Sequence, residues 1–183
     1  YFAAHQEEIG PAIKAGMEAR FATASQPPAP PAPPEPLQFI PQGAPVTVTV
    51  DCDTAPDEVL RIFGYESEKW TYLGGERPKG KQTICLQFGH FNRAWTEEEV
   101  AAWLPTQSGY AGSGAWAMLA YKKLHPNGDG KFAAFPDPET SRWQGRGDEI
   151  VCFPYFWSGG GCRLSYVGYR WYAVLRVCLR LVK

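Results

Sequence analysis

The chain has no excess of charge of one sign: 18 Lys and Arg face 19 Asp and Glu, a formal net charge of -1 over 183 residues. Such a balance lacks the basic field that draws nucleic acid or an acidic membrane by counterion release, so no nucleic-acid partner is expected. No apolar run reaches the roughly 20 residues of a membrane-spanning helix, and no charged-then-apolar leader opens the chain, so no membrane insertion is expected. The first residue is Tyr1, and the missing leader therefore leaves localisation open. The cysteines, Cys52, Cys85, Cys152, Cys162 and Cys178, are odd in number and never spaced C-x-x-C, which argues for buried thiols over a disulfide framework. His5, His90 and His125 are scattered and none stands at ligand spacing from a cysteine, so no metal and no cofactor is expected.

What is present begins with proline. Gln26 to Pro36 reads QPPAPPAPPEP; proline removes backbone donors and fixes φ, so the stretch is a semi-rigid polyproline II spacer that packs no core. Ahead of it Ile9, Ile13, Met17 and Phe21 recur every four residues and lay an apolar stripe along a helix, despite Gly10-Pro11. The stripe belongs either to a frayed or self-docked terminal segment, or to a self-association helix that makes the protein a homo-oligomer. The chain thus divides into an N-terminal helical segment (1–25), a proline-rich linker (26–40) and a domain (41–183).

The domain mixes α and β patterns. In PVTVTVD, Val46, Val48 and Val50 alternate with threonine as in a half-buried strand. Thr54 is placed to cap a short helix with Pro56 in its first turn, Val59, Leu60, Ile62 and Phe63 turned inward, and Gly64 at its end. KQTICLQFGHF gives a second strand. Thr96 and Glu99 make a capping box for a helix through Val100, Ala101 and Leu104, which Pro105 stops. Ser113 precedes a helix with Trp116, Leu119, Ala120 and Leu124 on one face, ended by Pro126 and NGDG. NGDG lacks the spaced acids and final glutamate of a calcium loop and reads as a tight turn. Short strands follow in KFAAF, EIVCFPYFW and RVCLRLV, the opening and closing strands pairing antiparallel. Helices flanking an antiparallel sheet, with a loop-rich stretch between Pro136 and Arg176, predict an α+β domain.

Residues 155–178, YFWSGGGCRLSYVGYRWYAVLRVC, contain no Lys, Glu, Asp, Gln, Asn, Thr or Met. A surface loop is ordinarily rich in such residues, and a core strand does not hold consecutive glycines beside several tyrosines. Tyr and Trp supply stiff contact area at small entropic cost while Ser and Gly adapt the backbone, the composition of a recognition surface.

Taken in order, VTVDCD, a short helix, ICLQFGHFNR, TEEEVAAWL, a second helix, FAAFPD, CFPYFW, RLSY, Trp171, Arg176 and a terminal LRLVK resemble the variable proteins of diversity-generating retroelements, notably those of minimal-genome bacteria and archaeal viruses. The resemblance spans roughly residues 45–183. It implies a C-type lectin-like fold, two helices flanking an antiparallel sheet with a loop-rich C-terminal half, and a role in binding rather than catalysis. It also implies a C-terminal repeat rewritten by an error-prone reverse transcriptase that mutates adenines, notably in asparagine codons. Randomising those adenines can yield Tyr, Phe, Ser, Gly, Cys, Arg, Leu, Val or Ala, but never Lys, Glu, Gln, Met or Trp. Of the excluded outcomes only Trp occurs in the window, at Trp157 and Trp171, which match fixed tryptophans of the family.

By the same resemblance the variable, ligand-facing positions are Tyr155, Ser158, Gly159, Gly160, Gly161, Cys162, Ser165, Val167, Gly168, Tyr169, Arg170, Tyr172, Ala173 and Val174. Trp157, Arg163, Leu164, Trp171, Arg176 and Leu179 are the packed scaffold around them. Tyr155, Tyr169 and Tyr172 are the expected anchors, each worth about 1–2 kcal/mol of binding; alternatively Tyr166, Tyr169 and Tyr172 only cover the core from outside. The partner is an unidentified protein or surface ligand, met at a virion or cell surface.

Two rival readings stay open. An enzyme would need Cys85 or Cys162 activated by His90 and Asp148, which only folding could bring together. A virion or cell-surface structural or adhesion protein without a diversified site also suits the N-terminal helix and spacer. Arg163, Arg170, Arg176 and Arg180 are spread among apolar residues and read as solvated faces, not a nucleic-acid site.

Overall fold

The computed structural model describes residues 34–147 and 149–182. The expected N-terminal helix with its apolar stripe, most of the proline linker, and Asp148 lie outside the described residues. The folded unit begins at Pro36, ahead of the expected boundary at residue 41. Phe39–Pro41 already forms a strand, β1, and Phe39 packs edge-on against Phe91 with ring centroids 5.8 Å apart.

Three helices accompany the strands among the described residues: α1 (Pro56–Phe63), α2 (Glu97–Trp103) and α3 (Gly114–Leu124). The strands after β1 are β2 (Val46–Asp51), β3 (Trp70–Tyr72), β4 (Lys81–Phe91), β5 (Tyr110–Ala111), β6 (Ala133–Ala134), β7 (Trp143–Gly145), β8 (Val151–Phe156), β9 (Cys162–Tyr166) and β10 (Arg176–Leu181). They join in one sheet in the order β1-β4-β10-β6-β8-β7-β3, with β2 on β4, β5 on β10 and β9 on β8. All pairings are antiparallel except that of β6 with β10. The chain is therefore α+β with a mostly antiparallel sheet. The opening and closing strands do not pair directly as expected. Both lie against the long β4, where Leu86 faces Val46 on one side and Arg180 on the other.

Side-chain alternation along β4 divides the core in two. Ile84, Leu86 and Phe88 join Val48, Val50, Cys178 and the buried residues of α1 and α3 on one face. Phe91, Val177 and Leu179 join Val100 and Leu104, in and just after α2, on the other. α2 and α3 thus cover opposite faces, and the window strands are held between them.

The caps explain where these helices start. Thr96 Oγ1 accepts from the Glu99 N–H while a Glu99 carboxylate oxygen accepts from the Thr96 N–H, the reciprocal box that the sequence predicts. Thr54, by contrast, does not cap α1. Ala55 is the N-cap, so Thr54 stands one residue too early, and its carbonyl accepts from Trp116 and Arg77 instead. Ile62 is exposed, lying off the stripe of Val59, Leu60 and Phe63. Ser113 turns its hydroxyl to the Cys178 carbonyl, and the Ala115 N–H is capped by Ser141 Oγ from a distant loop. α3 is buried on nearly every side from Gly114 to Tyr121 rather than along one stripe, while Leu124, at its last position, is exposed.

Candidate functional site

The 155–178 window occupies β8's end, β9 and two turns that lead into β10. Tyr169 N–H donates to the Tyr166 carbonyl (3.0 Å) and Leu175 N–H to that of Tyr172 (3.0 Å). Between these turns the backbone is pinned to the rest of the fold. Trp171 and Trp95 exchange N–H to carbonyl bonds (2.7 and 3.0 Å), the Val167 N–H reaches the Val151 carbonyl (3.0 Å), and the Val167 carbonyl accepts from the Glu97 N–H (3.1 Å). The tryptophan pairing follows from burial: the two indoles stack at 5.8 Å and 14°, with Phe153 edge-on to Trp171 at 5.9 Å.

Tyrosines stand on this base. The Tyr155 and Tyr169 rings meet the buried Trp171 indole edge-on, at 5.6 and 5.5 Å. Tyr169 is 50% exposed, Tyr172 68% and Val174 86%, and Arg163, Tyr166 and Arg170 are exposed beside them. Tyr155 is half-buried, and that burial pushes its hydroxyl above the ordinary phenol range. No acidic residue follows Glu149 in the chain, so Arg163 and Arg170 are the formal charges among these exposed side chains. The surface thus combines a buried apolar base, outward aromatic rings and cations without acids.

The positions expected to face a ligand do not all do so. Gly159, Tyr169, Arg170, Tyr172 and Val174 are exposed; Tyr155, Ser158, Gly161, Ser165, Gly168 and Ala173 are half-buried. Cys162 is 3% exposed because it stands opposite Phe156 on the core side of the β8–β9 ladder, where burial pushes its thiol up to about 11. Val167 is 7% exposed, buried with Trp171 and Phe153. Gly160 is buried at φ 86, and a Cβ there would lie 2.5 Å from the Pro126 carbonyl oxygen and 2.7 Å from the Gly128 nitrogen. L side chains rarely adopt that backbone, and the facing atoms are backbone, so the position demands glycine. At Gly159 and Gly161 a Cβ would meet only Trp157, at 3.5 and 3.8 Å.

The expected scaffold divides too. Trp171 and Leu179 are buried and Leu164 packs on the core. Arg176 is no solvated charge: it pairs with Asp129 at 2.7 Å and lies over the Phe88 ring at 4.3 Å. Arg163 does not pack; it projects outward opposite Tyr155. Trp157 is half exposed, touching Phe132 edge-on at 4.4 Å.

Several residues that shape this surface carry no sequence signal. Glu97, fully buried at the start of α2, pairs with Arg142, and burial still holds its carboxyl above the ordinary range. Once the capping box has singled out Glu99, nothing in TEEE distinguishes Glu97 from Glu98. Asp129 of NGDG accepts from the Tyr121 hydroxyl at 2.9 Å and braces Arg176, which gives that turn a structural task.

Of the residues of the enzyme reading, Cys85 and His90 are not brought together. Cys85 and His90 lie five positions apart on β4, hence on opposite faces and about 17 Å apart along the strand. The buried Cys162 disfavours the thiolate a nucleophile needs, and Asp148 lies outside the described residues. All five cysteines are free thiols, and no group of three or more His, Cys, Asp or Glu gathers as metal ligands among the described residues. No helix among the described residues is long and apolar enough to cross a membrane. Comparison with protein-family models, with curated proteins and with solved structures gave no match.

Proposed function

We propose that the protein is a ligand-binding protein of C-type lectin-like type, resembling the variable proteins of diversity-generating retroelements, and that the outward side chains of residues 155–174 are its diversified surface. One observation carries this reading: Tyr155 and Tyr169 rest on a buried tryptophan base that adenine mutagenesis of an asparagine codon cannot produce, while the exposed Tyr169, Arg170, Tyr172 and Val174 are all outcomes it can produce. A surface of this kind changes its target without disturbing the core, because the exposed side chains carry little of the packing. The half-buried and buried members of the expected set serve the platform; the binding set is the exposed one, joined by Tyr166 and Arg163.

The flanking DNA tests this directly. A near-identical repeat beside a reverse-transcriptase gene, differing at adenines in the codons of Tyr169, Arg170, Tyr172 and Val174 but not in those of Gly160, Trp171 or Leu179, is the expected result. A locus without such a repeat, or one whose differences fall on the buried codons, overturns it.

A further inference from the structure

Beside α3, and reached also by Ala101 and Leu104 in and just after α2, the fold holds a cleft of about 430 Å³, and none of residues 155–174 lines it. Its volume falls among those of small-molecule sites, about 300–1,000 Å³, and it stands independently of the surface discussed above. Val50, Ile84 and Trp116 give it an apolar wall, and Arg77 and Arg180 give it two cations.

These cations are not solvated ornaments. Arg180 is half-buried between Leu86 and Ala111 in the sheet; its Nε is buried without an acceptor, and it forms no ion pair among the described residues. Arg77 lies over the Trp116 ring at 4.3 Å and spends both Nη1 protons on the Cys52 and Thr54 carbonyls (3.0 and 2.9 Å). Its Nε and Nη2 donors have no acceptor among the described residues. Both cations line the same cleft as Cys52, whose carbonyl Arg77 already holds. The acids at the cleft do not answer them. Asp137 accepts from the Glu139 N–H and from the N–H and hydroxyl of Thr140, and Glu76 and Glu139 stand in solvent at the rim. A guanidinium partly withdrawn from water calls for an acceptor, and a carboxylate matches its paired donors best.

We propose that this cleft binds a small amphipathic carboxylate, its acid group on Arg180 and Arg77 and its hydrocarbon or aromatic body along Val50, Ile84 and Trp116. The guanidinium donors left without acceptors favour a carboxylate over an amine, and the apolar wall selects against a bare inorganic anion.

Calorimetric titration of the full chain with 4-phenylbutyrate, 4-phenylbutylamine and inorganic phosphate tests this. The carboxylate is expected to bind saturably, at least about tenfold more tightly than either comparison compound, and Arg180→Met to weaken it by about tenfold. Ala101→Trp puts a large ring into the cleft's lining while leaving both arginines in place and is expected to abolish binding, whereas Tyr169→Ala and Tyr172→Ala leave it unchanged. The proposal is overturned by an absence of saturable heat from 4-phenylbutyrate, by equal binding of the amine or phosphate, or by full affinity in the Ala101→Trp protein. If Arg180→Met fails to fold by circular dichroism, the ligand series and Ala101→Trp decide the matter.

Discussion

The hairpin turn at 157–161 and the loop at 166–175 both combine glycine with aromatic rings, yet the fold treats them oppositely. The hairpin turn is locked through its backbone: Gly160 and Gly128 face each other at positive φ, with the Gly160 N–H on the Trp157 carbonyl at 2.9 Å. The loop is held at Val167 and Trp171; Tyr169 and Arg170 project into solvent between these points and Tyr172 just after them. Composition marks both stretches as a recognition surface. Backbone geometry separates the residues that can change freely from those that cannot.

The sharpest way to break this contrast is to remove the loop's base. Trp171→Ala empties a site packed by Trp95, Phe153, Tyr155 and Tyr169 and should cost about 3–5 kcal/mol in urea denaturation; a cost near zero would mean the loop is not anchored there. Gly160→Ala should cost about 2 kcal/mol or more, since it combines left-handed strain with a backbone clash, while Gly159→Ala stays within about 0.5 kcal/mol. Equal effects at the two glycines would remove the claim that the hairpin turn is locked at Gly160.

A smaller, pH-dependent effect is expected beneath the loop. Burial raises the folded-state pKa of Glu97 above its ordinary value of 4.5 more than Arg142 lowers it. As pH rises past 4.5 the unfolded chain therefore gives up this proton before the folded one does, and stability is lost until the folded carboxyl ionises too. Relative to Glu97→Gln, the wild-type urea midpoint should fall as pH is raised above 4.5; a wild type that gains on the variant would show that the Arg142 pairing outweighs burial. Smallest of all, Tyr169→Ala and Tyr172→Ala should each shift stability by no more than about 0.5 kcal/mol, which the same melts would reveal.

Much of the framework was legible in the sequence because local rules decide it. The valine-threonine alternation places β2, the Thr96–Glu99 box starts α2, and glycine ends α1. What stayed hidden depends on contacts between distant segments. Ser113 fails as a cap because Cys178 offers its hydroxyl a partner and Ser141 takes over the helix end. Arg176 and Arg180 read alike in RVCLRLV, yet one pairs with Asp129 from NGDG and the other forms no ion pair among the described residues. In the window, composition singles out the stretch but cannot assign sides. Cys162 and Arg163 are neighbours of opposite fate because successive residues of β9 point to opposite faces.

The most direct measurement compares two pools of variants by proteolysis and thermal melting, one randomised at Tyr169, Arg170, Tyr172 and Val174, the other at Gly160, Cys162, Val167 and Trp171. A first pool that folds almost throughout, beside a second that mostly unfolds, is the predicted result. Comparable losses in the two pools would contradict the idea of a changeable rim on a fixed base.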